Sequence, residues 1–424
     1  MYRREFLTTS LAAAQLAPPN EAIAAAREVA IKVLRPTQKQ IEHGLELHAA
    51  SLVAESYGFM PRVAVDGDAI RQAADSGASA AEYQDLNEDQ AMTRSVTSAA
   101  ERKEYLDAWR ASGVTCILQN AGEEGSDPMR LIKRLARYTY VTHFLRDHVS
   151  QAIEPSDIEA AKKAGRHCLY MTGNGVPITQ AWESVEEELR FIRIFFQLGV
   201  RMMHLTYNRR NMIGDGCGEP GNAGLSDFGL AAVAEMNRQG VIVDVAHSGW
   251  RTSLEAAKAS RKPMVASHTT ATAINNHIRS KPDEVIRAIC DTGGLVGICC
   301  IPIFLGRSGD IAAMLDHIDH VAKKFGADHV AIGTDVSYTS RNAPAEWRKL
   351  PRRARQRNRW EALWPPGSYN SNATPQQVQS MLWTNWPMFT VGLVQRGYSD
   401  TDIQKILGGN VMRVARANFD GVKL

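Results

Sequence analysis

Eight short apolar runs, separated mostly by segments with helical periodicity, constrain the fold of this chain most strongly. They are too short for helices and read as buried parallel strands. They lie at residues 51–57, 114–120, 167–172, 200–207, 241–247, 263–268, 295–300 and 329–335. Several helical segments end in glycine just before the next run, and glycine is a common end signal of a helix. Eight such repeats predict a (β/α)8 barrel of the TIM type.

The predicted barrel is one domain, residues 31–424, with two insertions on its rim. The first, residues 60–110, is polar and predicted to be helical. The second, residues 338–372, is rich in Arg and Trp, follows the eighth strand and is expected to overhang the mouth. It is either a solvated loop or lid, or the place where an arginine meets an anionic group of the substrate.

Composition and charge limit the partners. The 424 residues are 44% hydrophobic and 22% charged, with a formal charge of +3, which is ordinary globular composition and gives no reason to expect nucleic acid. After the N-terminus no segment approaches the ~20 apolar residues that cross a bilayer. The six cysteines form no C-x-x-C pair and are expected to be buried free thiols. A homodimer is compatible with the sequence.

The N-terminus resembles an export signal. Arg3 and Arg4 are followed by Phe6-Leu7 and by an apolar run, Leu11 to Ala17, which is the pattern of a twin-arginine signal. Residues 1–30 are therefore expected to be signal and linker, and the protein periplasmic. The alternative is an ordinary basic terminus on a cytoplasmic protein.

Three runs end in residues that bind metals or move protons: His247, His268 and Asp335. The carboxyl ends of the strands are where barrels of this type keep their chemistry. Neighbouring strands lie ~4.8 Å apart, so the two imidazoles can reach one ion, and imidazole suits zinc. Asp335 is then a third ligand or the base that takes a proton from bound water. Asp244, three residues before His247, is expected to face the other way and to be structural.

Several motifs together resemble one known family. They are Gly224-Leu225-Ser226-Asp227-Phe228-Gly229, Val243-Asp244-Val245-Ala246-His247-Ser248, Val265-Ala266-Ser267-His268, Gly333-Thr334-Asp335 and the closing segment from Asp402 to Asn410. From about residue 45 onward the chain resembles the membrane (renal) dipeptidase family of zinc metallopeptidases. The resemblance implies a (β/α)8 barrel with two zinc ions bridged by a carboxylate. It also implies cleavage of dipeptides or other small amides.

The resemblance also assigns roles to residues. It implies that His247 and His268 are ligands of the second zinc, that Asp335 is the catalytic aspartate and that Arg279 grips the substrate carboxylate.

Other positions depart from the family pattern. Tyr57 and Phe59 stand where the family has a His-x-Asp pair, Thr172 stands where it has the bridging glutamate, and Tyr207 replaces a substrate-binding histidine. At most one metal, zinc, is therefore expected, and His204 or His277 could supply a missing ligand.

Three functions follow as hypotheses. The first is a dipeptidase-like metallohydrolase that cleaves a small peptide or amide with one metal-activated water, with Tyr207 donating to the oxyanion and Tyr57 doing the same or positioning a ligand. The second is a barrel without dipeptidase activity that binds or tailors a peptide-like compound, with Tyr57, Tyr207 and Asp335 as acid and base. The third, a nucleic-acid module on the Arg/Trp insertion, has weak support.

Overall fold

A parallel sheet curls into a nearly closed barrel in the computed structural model, which describes residues 16–122, 125–351, 360, 362–370 and 372–422. The strand order around the barrel is β1-β2-β4-β5-β6-β7-β9-β10, and all pairs are parallel. The strands of the described chain are β1 (Ala54–Gly58), β2 (Cys116–Asn120), β3 (Val149–Ala152), β4 (His167–Gly173), β5 (Met202–His204), β6 (Ile242–Asp244), β7 (Val265–Ala271), β8 (Ser280–Lys281), β9 (Leu295–Ile298) and β10 (Val330–Ile332).

Helices surround the barrel between successive strands. Within the described residues they are α1 (Glu21–Leu34), α2 (Gln38–Ala50), α3 (Gly67–Asp75), α4 (Ala80–Thr97), α5 (Ala99–Ser112), α6 (Pro128–Phe144), α7 (Pro155–Lys163), α8 (Val185–Gln197), α9 (Asp227–Gln239), α10 (Trp250–Ala259), α11 (Asp283–Asp291), α12 (Pro302–Leu305), α13 (Ile311–Phe325), α14 (Ala343–Lys349), α15 (Pro375–Ser380), α16 (Trp386–Gln395), α17 (Asp400–Gln404) and α18 (Asn410–Phe419). A π-helical turn, Lys405–Gly409, joins α17 to α18.

The predicted (β/α)8 barrel is confirmed, and all eight predicted strands are present, each within a few residues of its expected bounds. The sequence did not predict β3 and β8. Both are short and lie off the barrel path, β3 beside β4 and β8 beside β7. Polar Ser150 and Gln151 interrupt the apolar pattern of β3, and β8 has only two residues.

The amino end of the barrel is filled. Residues at the starts of the strands, including Ala54, Cys116, Met202 and Ile242, form one buried cluster with residues of α18. The closing helix therefore plugs this end, and the opposite end, where the strands finish, is left as the mouth.

The first and last strands meet through side chains as well as backbone. The Thr334 N–H donates to Glu55 Oε1 at 3.0 Å, and the Asp335 N–H donates to the Tyr57 carbonyl at 3.4 Å. At Gly333 an added Cβ would lie 2.1 Å from the Ser267 carbonyl oxygen, so only glycine fits. This close approach brings Asp335 to the same mouth as β7.

The two segments predicted as rim insertions, residues 60–110 and 338–372, contain helices in the described part of the chain. The first forms α3, α4 and α5, and α14 lies in the second. Arg3, Arg4 and most of the arginine cluster lie outside the described residues; the cluster members concerned are Arg352, Arg353, Arg355, Arg357 and Arg359. In the described part of the chain, no helix combines the length and apolar character needed to cross a membrane.

Candidate active site at the barrel mouth

A cavity of ≈ 320 Å³ opens at the carboxyl ends of the strands. Four of the predicted site residues line it: Tyr57, Tyr207, His247 and Asp335. Tyr207, His247 and Asp335 each stand three residues beyond the end of a strand, β5, β6 and β10. The fold thus brings together residues that are up to 278 positions apart (335 − 57) in the sequence.

Aromatic side chains form most of the remaining wall. Trp360, Trp364 and Tyr369 come from the second insertion, and Phe59 and Phe304 come from the barrel. The Trp360 indole N–H donates to the Tyr207 hydroxyl at 3.2 Å. Among the residues that the structure describes, the cationic side chains that line the cavity are Arg62 and Arg134.

Two imidazoles meet at the floor of this cavity. Nε2 of His247 lies 3.0 Å from Nε2 of His268, and both side chains are buried. The Nδ1 atoms are held by neighbours, that of His247 by Asn208 Oδ1 at 2.7 Å and that of His268 by the Ser267 hydroxyl at 2.9 Å. Metal-binding histidines are usually oriented in this way through their second nitrogen. The predicted pairing of His247 with His268 therefore has the geometry of two neighbouring ligands.

Each of these imidazoles carries a tyrosine ring on its face. Tyr57 stacks on His268 with ring centroids 3.8 Å apart, and Tyr207 stacks on His247 at 4.0 Å. The Tyr57 hydroxyl donates to Asn174 Oδ1 at 3.3 Å. The stacked tyrosine rings fix the planes of the two imidazoles.

Both imidazoles are held neutral. Burial lowers the pKa of His247 and of His268 well below the usual value, and the nearby Arg279 charge lowers both further. Neutral imidazole is the form that binds a metal.

A second polar pair, His204 and Asp244, lies next to His268. His204 Nε2 is 2.8 Å from Asp244 Oδ2, and both side chains are almost completely buried. His204, Asp244 and His268 each offer a ligand atom within 4.8 Å of the others and could hold a metal ion. Asp244 was expected to be structural and to face away from His247. Strand β6 ends at Asp244 and the chain turns before His247, so counting alternate faces along one strand does not relate the two residues.

Asp335 stands on a strained backbone beside a buried acid. Its φ of 58° lies in the left-handed region, which few residues other than glycine adopt. Glu55 accepts hydrogen bonds from the Thr334 N–H and hydroxyl and from the Trp383 indole N–H. Burial raises the pKa of Glu55 to about 8 despite these donors. The sequence analysis missed Glu55, which fixes the turn that aims Asp335.

Arg279 lies behind the imidazole pair. It is 1% exposed, and its guanidinium donates to the carbonyls of Ala246 and His268. It is not among the side chains that line the cavity. Its predicted contact with a substrate carboxylate remains a prediction; the contacts present hold the backbone at both histidines.

Cavity volume alone would place the candidate site outside the barrel. A larger cavity, of ≈ 670 Å³, lies between helices outside the barrel and is lined by residues such as Asp85 and Arg137. Those two already form a salt bridge of 2.7 Å. The smaller cavity is the candidate site because the buried histidines converge there.

A sequence model of the membrane dipeptidase family, peptidase family M19, matches residues 81–350 of the chain. The chain belongs to this family. Dipeptidase tcpJ of Claviceps purpurea is 27% identical over 276 residues, 64% of this chain and 55% of that protein. Dipeptidase aclJ of Aspergillus oryzae is 30% identical over 229 residues, 53% and 46% of the two proteins. The chain thus matches about half the length of these curated relatives.

A solved structure shares the architecture of this membrane dipeptidase family member. It is an amidohydrolase from Pseudomonas aeruginosa, with a TM-score of 0.65 and 24% identity, covering 89% of this chain and 99% of the other. At this identity the likeness supports the barrel fold.

The family's two-metal centre does not fit the residues present here. Phe59 has no ligand atom, the Tyr57 hydroxyl is bonded to Asn174, and the Thr172 hydroxyl donates to the Gln119 carbonyl at 3.2 Å. One ion does fit, since the His247 and His268 nitrogens face each other and His204 and Asp244 lie beside them. The remaining donors are all imidazole and carboxylate, which suit a divalent transition metal.

Proposed function

We propose that this chain is a dipeptidase-like metallohydrolase that cleaves an amide bond of a small peptide or peptide-like compound. The observation that carries the proposal is the convergence of Tyr57, Tyr207, His247 and Asp335 on one cavity at the mouth. Membership of the membrane dipeptidase family supports the reaction class.

One zinc ion, held by His247 and His268, is proposed for this site. When bound, such an ion polarises a carbonyl group and lowers the pKa of water to about 7. Two features of the chain favour binding of this ion. Both imidazoles are kept neutral, and their second nitrogens are held by Asn208 and Ser267.

Asp335 and Tyr207 have the proposed catalytic roles. The Asp335 carboxylate faces the cavity and can accept the proton of the attacking water. The Tyr207 hydroxyl lines the cavity and accepts a hydrogen bond from Trp360, and we propose it as the donor to the oxyanion that develops on the carbonyl. Tyr57, stacked on His268, walls the other side and positions the substrate.

The lining of the cavity favours substrates with a flat apolar group and a carboxylate. Phe304, Trp360, Trp364 and Tyr369 provide ring faces on one wall. Aromatic pairs contribute about 0.5–1.5 kcal/mol beyond their area burial. A substrate carboxylate would meet Arg62 or Arg134, which are the cationic side chains that line the cavity among the described residues.

A panel of dipeptides and their terminal amides, incubated with zinc and scored by amine release, tests the proposal. We expect turnover, fastest with an aromatic residue and a free carboxylate. Asp335→Asn keeps the shape and tolerates the left-handed backbone, and it should reduce turnover by about 10²–10⁴-fold. No turnover by the zinc-loaded wild type, or unchanged turnover in Asp335→Asn, would contradict it.

Binding without hydrolysis is the second candidate. It is favoured by Phe59 and Tyr57, since aromatic rings now stand where the family pattern has two metal ligands. In that case a peptide-like ligand raises the melting temperature of the protein by mass action, and no product forms with any metal.

A further inference from the structure

Two histidines alone make a poor metal site. Catalytic zinc sites usually have three protein ligands and an open position. The positions that would complete the shell from β1 and β4 are now Tyr57, Phe59 and Thr172. Any ion at this mouth must find its other ligands elsewhere in the barrel.

His204 and Asp244 carry buried polar atoms that are available to bind a metal. Both nitrogens of His204 and the Oδ2 atom of Asp244 are buried and make no hydrogen bond of proper geometry within the described chain. His204 Nε2 nevertheless lies 2.8 Å from Asp244 Oδ2. The two ligand atoms of one bound cation also lie close together without the alignment of a hydrogen bond, and this pair of atoms has that arrangement. Buried polar atoms otherwise require a partner.

The ligand atoms of His204, Asp244 and His268 all lie within 4.8 Å of one another, and His247 stands at the edge of this group. The ring centroids of His204 and His268 are 5.3 Å apart, those of His247 and His268 are 5.0 Å apart, and those of His204 and His247 are 5.5 Å apart. Two imidazoles bound at the usual zinc–nitrogen distance in a tetrahedral shell have centroids roughly 5 Å apart.

One oxygen of Asp244 is placed to bind a cation. Asp244 Oδ1 accepts from the N–H groups of Ala246 and Ser267 at 2.9 and 3.0 Å, which leaves Oδ2 toward His204. The carboxylate is thus fixed through one oxygen and presents the other beside an imidazole nitrogen.

We propose that His204, Asp244 and His268 bind one divalent transition-metal ion beneath the floor of the pocket, with His247 as the fourth, pocket-facing ligand beside a fifth position that stays open to water. His204 and Asp244, at the ends of β5 and β6, then take over from the ligands missing on β1 and β4. The inference deepens the metal site of the proposed function. It requires metal binding but not hydrolysis, so the two can fail separately.

Cobalt titration of the chelator-treated full chain tests this, with visible absorption reporting the shell. We expect one Co²⁺ per chain in the wild type. Affinity should fall by at least about 100-fold in His204→Asn and Asp244→Asn, and by about 10-fold in His247→Asn. His277→Asn is the matched control, because His277 is a half-buried histidine bonded to the Ser368 carbonyl outside the group. The Co²⁺ affinity of His277→Asn should equal that of the wild type.

Wild-type affinity in both His204→Asn and Asp244→Asn would overturn the inference, as would a folded wild type that binds no metal. If the variants do not fold, X-ray absorption of the zinc-loaded wild type decides. Three imidazoles around the ion support the inference, and two contradict it. Metal binding as expected with no peptide turnover contradicts only the proposed function. Peptide turnover by wild type from which the metal has been removed likewise contradicts only the proposed function.

Discussion

The two halves of the barrel have different chemistry at the same mouth. The ends of β1, β2 and β4 present Tyr57, Asn120 and Thr172, which are hydroxyl and amide side chains. Strands β5, β6 and β7, with the turn after β6, present three histidines and a carboxylate; they are His204, Asp244, His247 and His268.

This difference teaches that the halves of the site can change separately. The first half carries no imidazole or carboxylate at the positions that the two-metal pattern requires, and it contributes aromatic surface to the cavity. The second half keeps the imidazole pair and surrounds it with further ligand-type atoms. We expect metal binding to depend on the second half and substrate shape to depend on the first half and the overhanging insertion.

His268→Ala should have the largest effect. His268 belongs to both the His247 pair and the group with His204 and Asp244. Its loss should abolish metal binding and lower turnover by at least about 10³-fold, because a bound metal contributes several kcal/mol to the transition state. Elemental analysis and peptide turnover measure this. Thr172→Val is the control in the first half and should bind metal as the wild type does. An equal loss of metal binding in both variants would contradict the assignment of the metal to the second half.

Tyr207→Phe should have the next largest effect. It removes the hydroxyl proposed to donate to the oxyanion and keeps the ring that stacks on His247. We expect kcat to fall by about 10²-fold with little change in KM or metal content. Tyr57→Phe removes the hydroxyl bonded to Asn174 in the first half and should lower kcat by less than about 10-fold. The reverse order of these two effects would assign the oxyanion donor to the first half.

Trp360→Ala should weaken substrate binding. Trp360 lines the cavity from the insertion and bonds to Tyr207. We expect KM for aromatic dipeptides to rise about 10-fold, and KM for aliphatic ones to rise less. Trp347→Ala is the control, since Trp347 in the same insertion is 48% exposed. Equal changes for both substrate types would show that the aromatic wall does not select the side chain.

Glu55 should make stability depend on pH. Burial raises its pKa to about 8, above the value of about 4.3 in an unfolded chain, so the folded protein holds a proton that the unfolded chain has released. The stabilisation from this proton is fully present below about pH 4 and is lost as the pH rises through about 8.

Glu55→Gln should remove this dependence. The variant loses an acceptor for Trp383 or Thr334 and should be less stable at pH 5. In thermal melts, the difference in melting temperature between the wild type and this variant should become smaller from pH 5 to pH 9. Parallel curves for the two proteins would mean that Glu55 is not protonated in the folded state.

The sequence was a good guide to the barrel because a buried parallel strand leaves a local pattern. The run ending at His247 and the run ending at Asp335 were both recognisable as strands, and the structure places both residues at the mouth. The short strand β8 left no such pattern, since its two residues, Ser280 and Lys281, are polar and buried.

The site was less predictable because it depends on turns and on distant partners. Whether Asp244 and His247 face the same way depends on where β6 ends, and an alternating pattern cannot give that. Glu55 acts through Thr334, 279 residues later in the chain. A carboxylate inside an apolar strand run was the available signal for Glu55, and the same holds for Asp244.

Metal content of freshly purified protein tests the central claim most directly. Elemental analysis should find one transition-metal ion per chain, because one half of the mouth supplies ligands and the other does not. Two ions per chain would mean that the first half also binds metal, and none would mean that the buried histidines serve another purpose. Either result would contradict a one-metal site built on β5, β6 and β7.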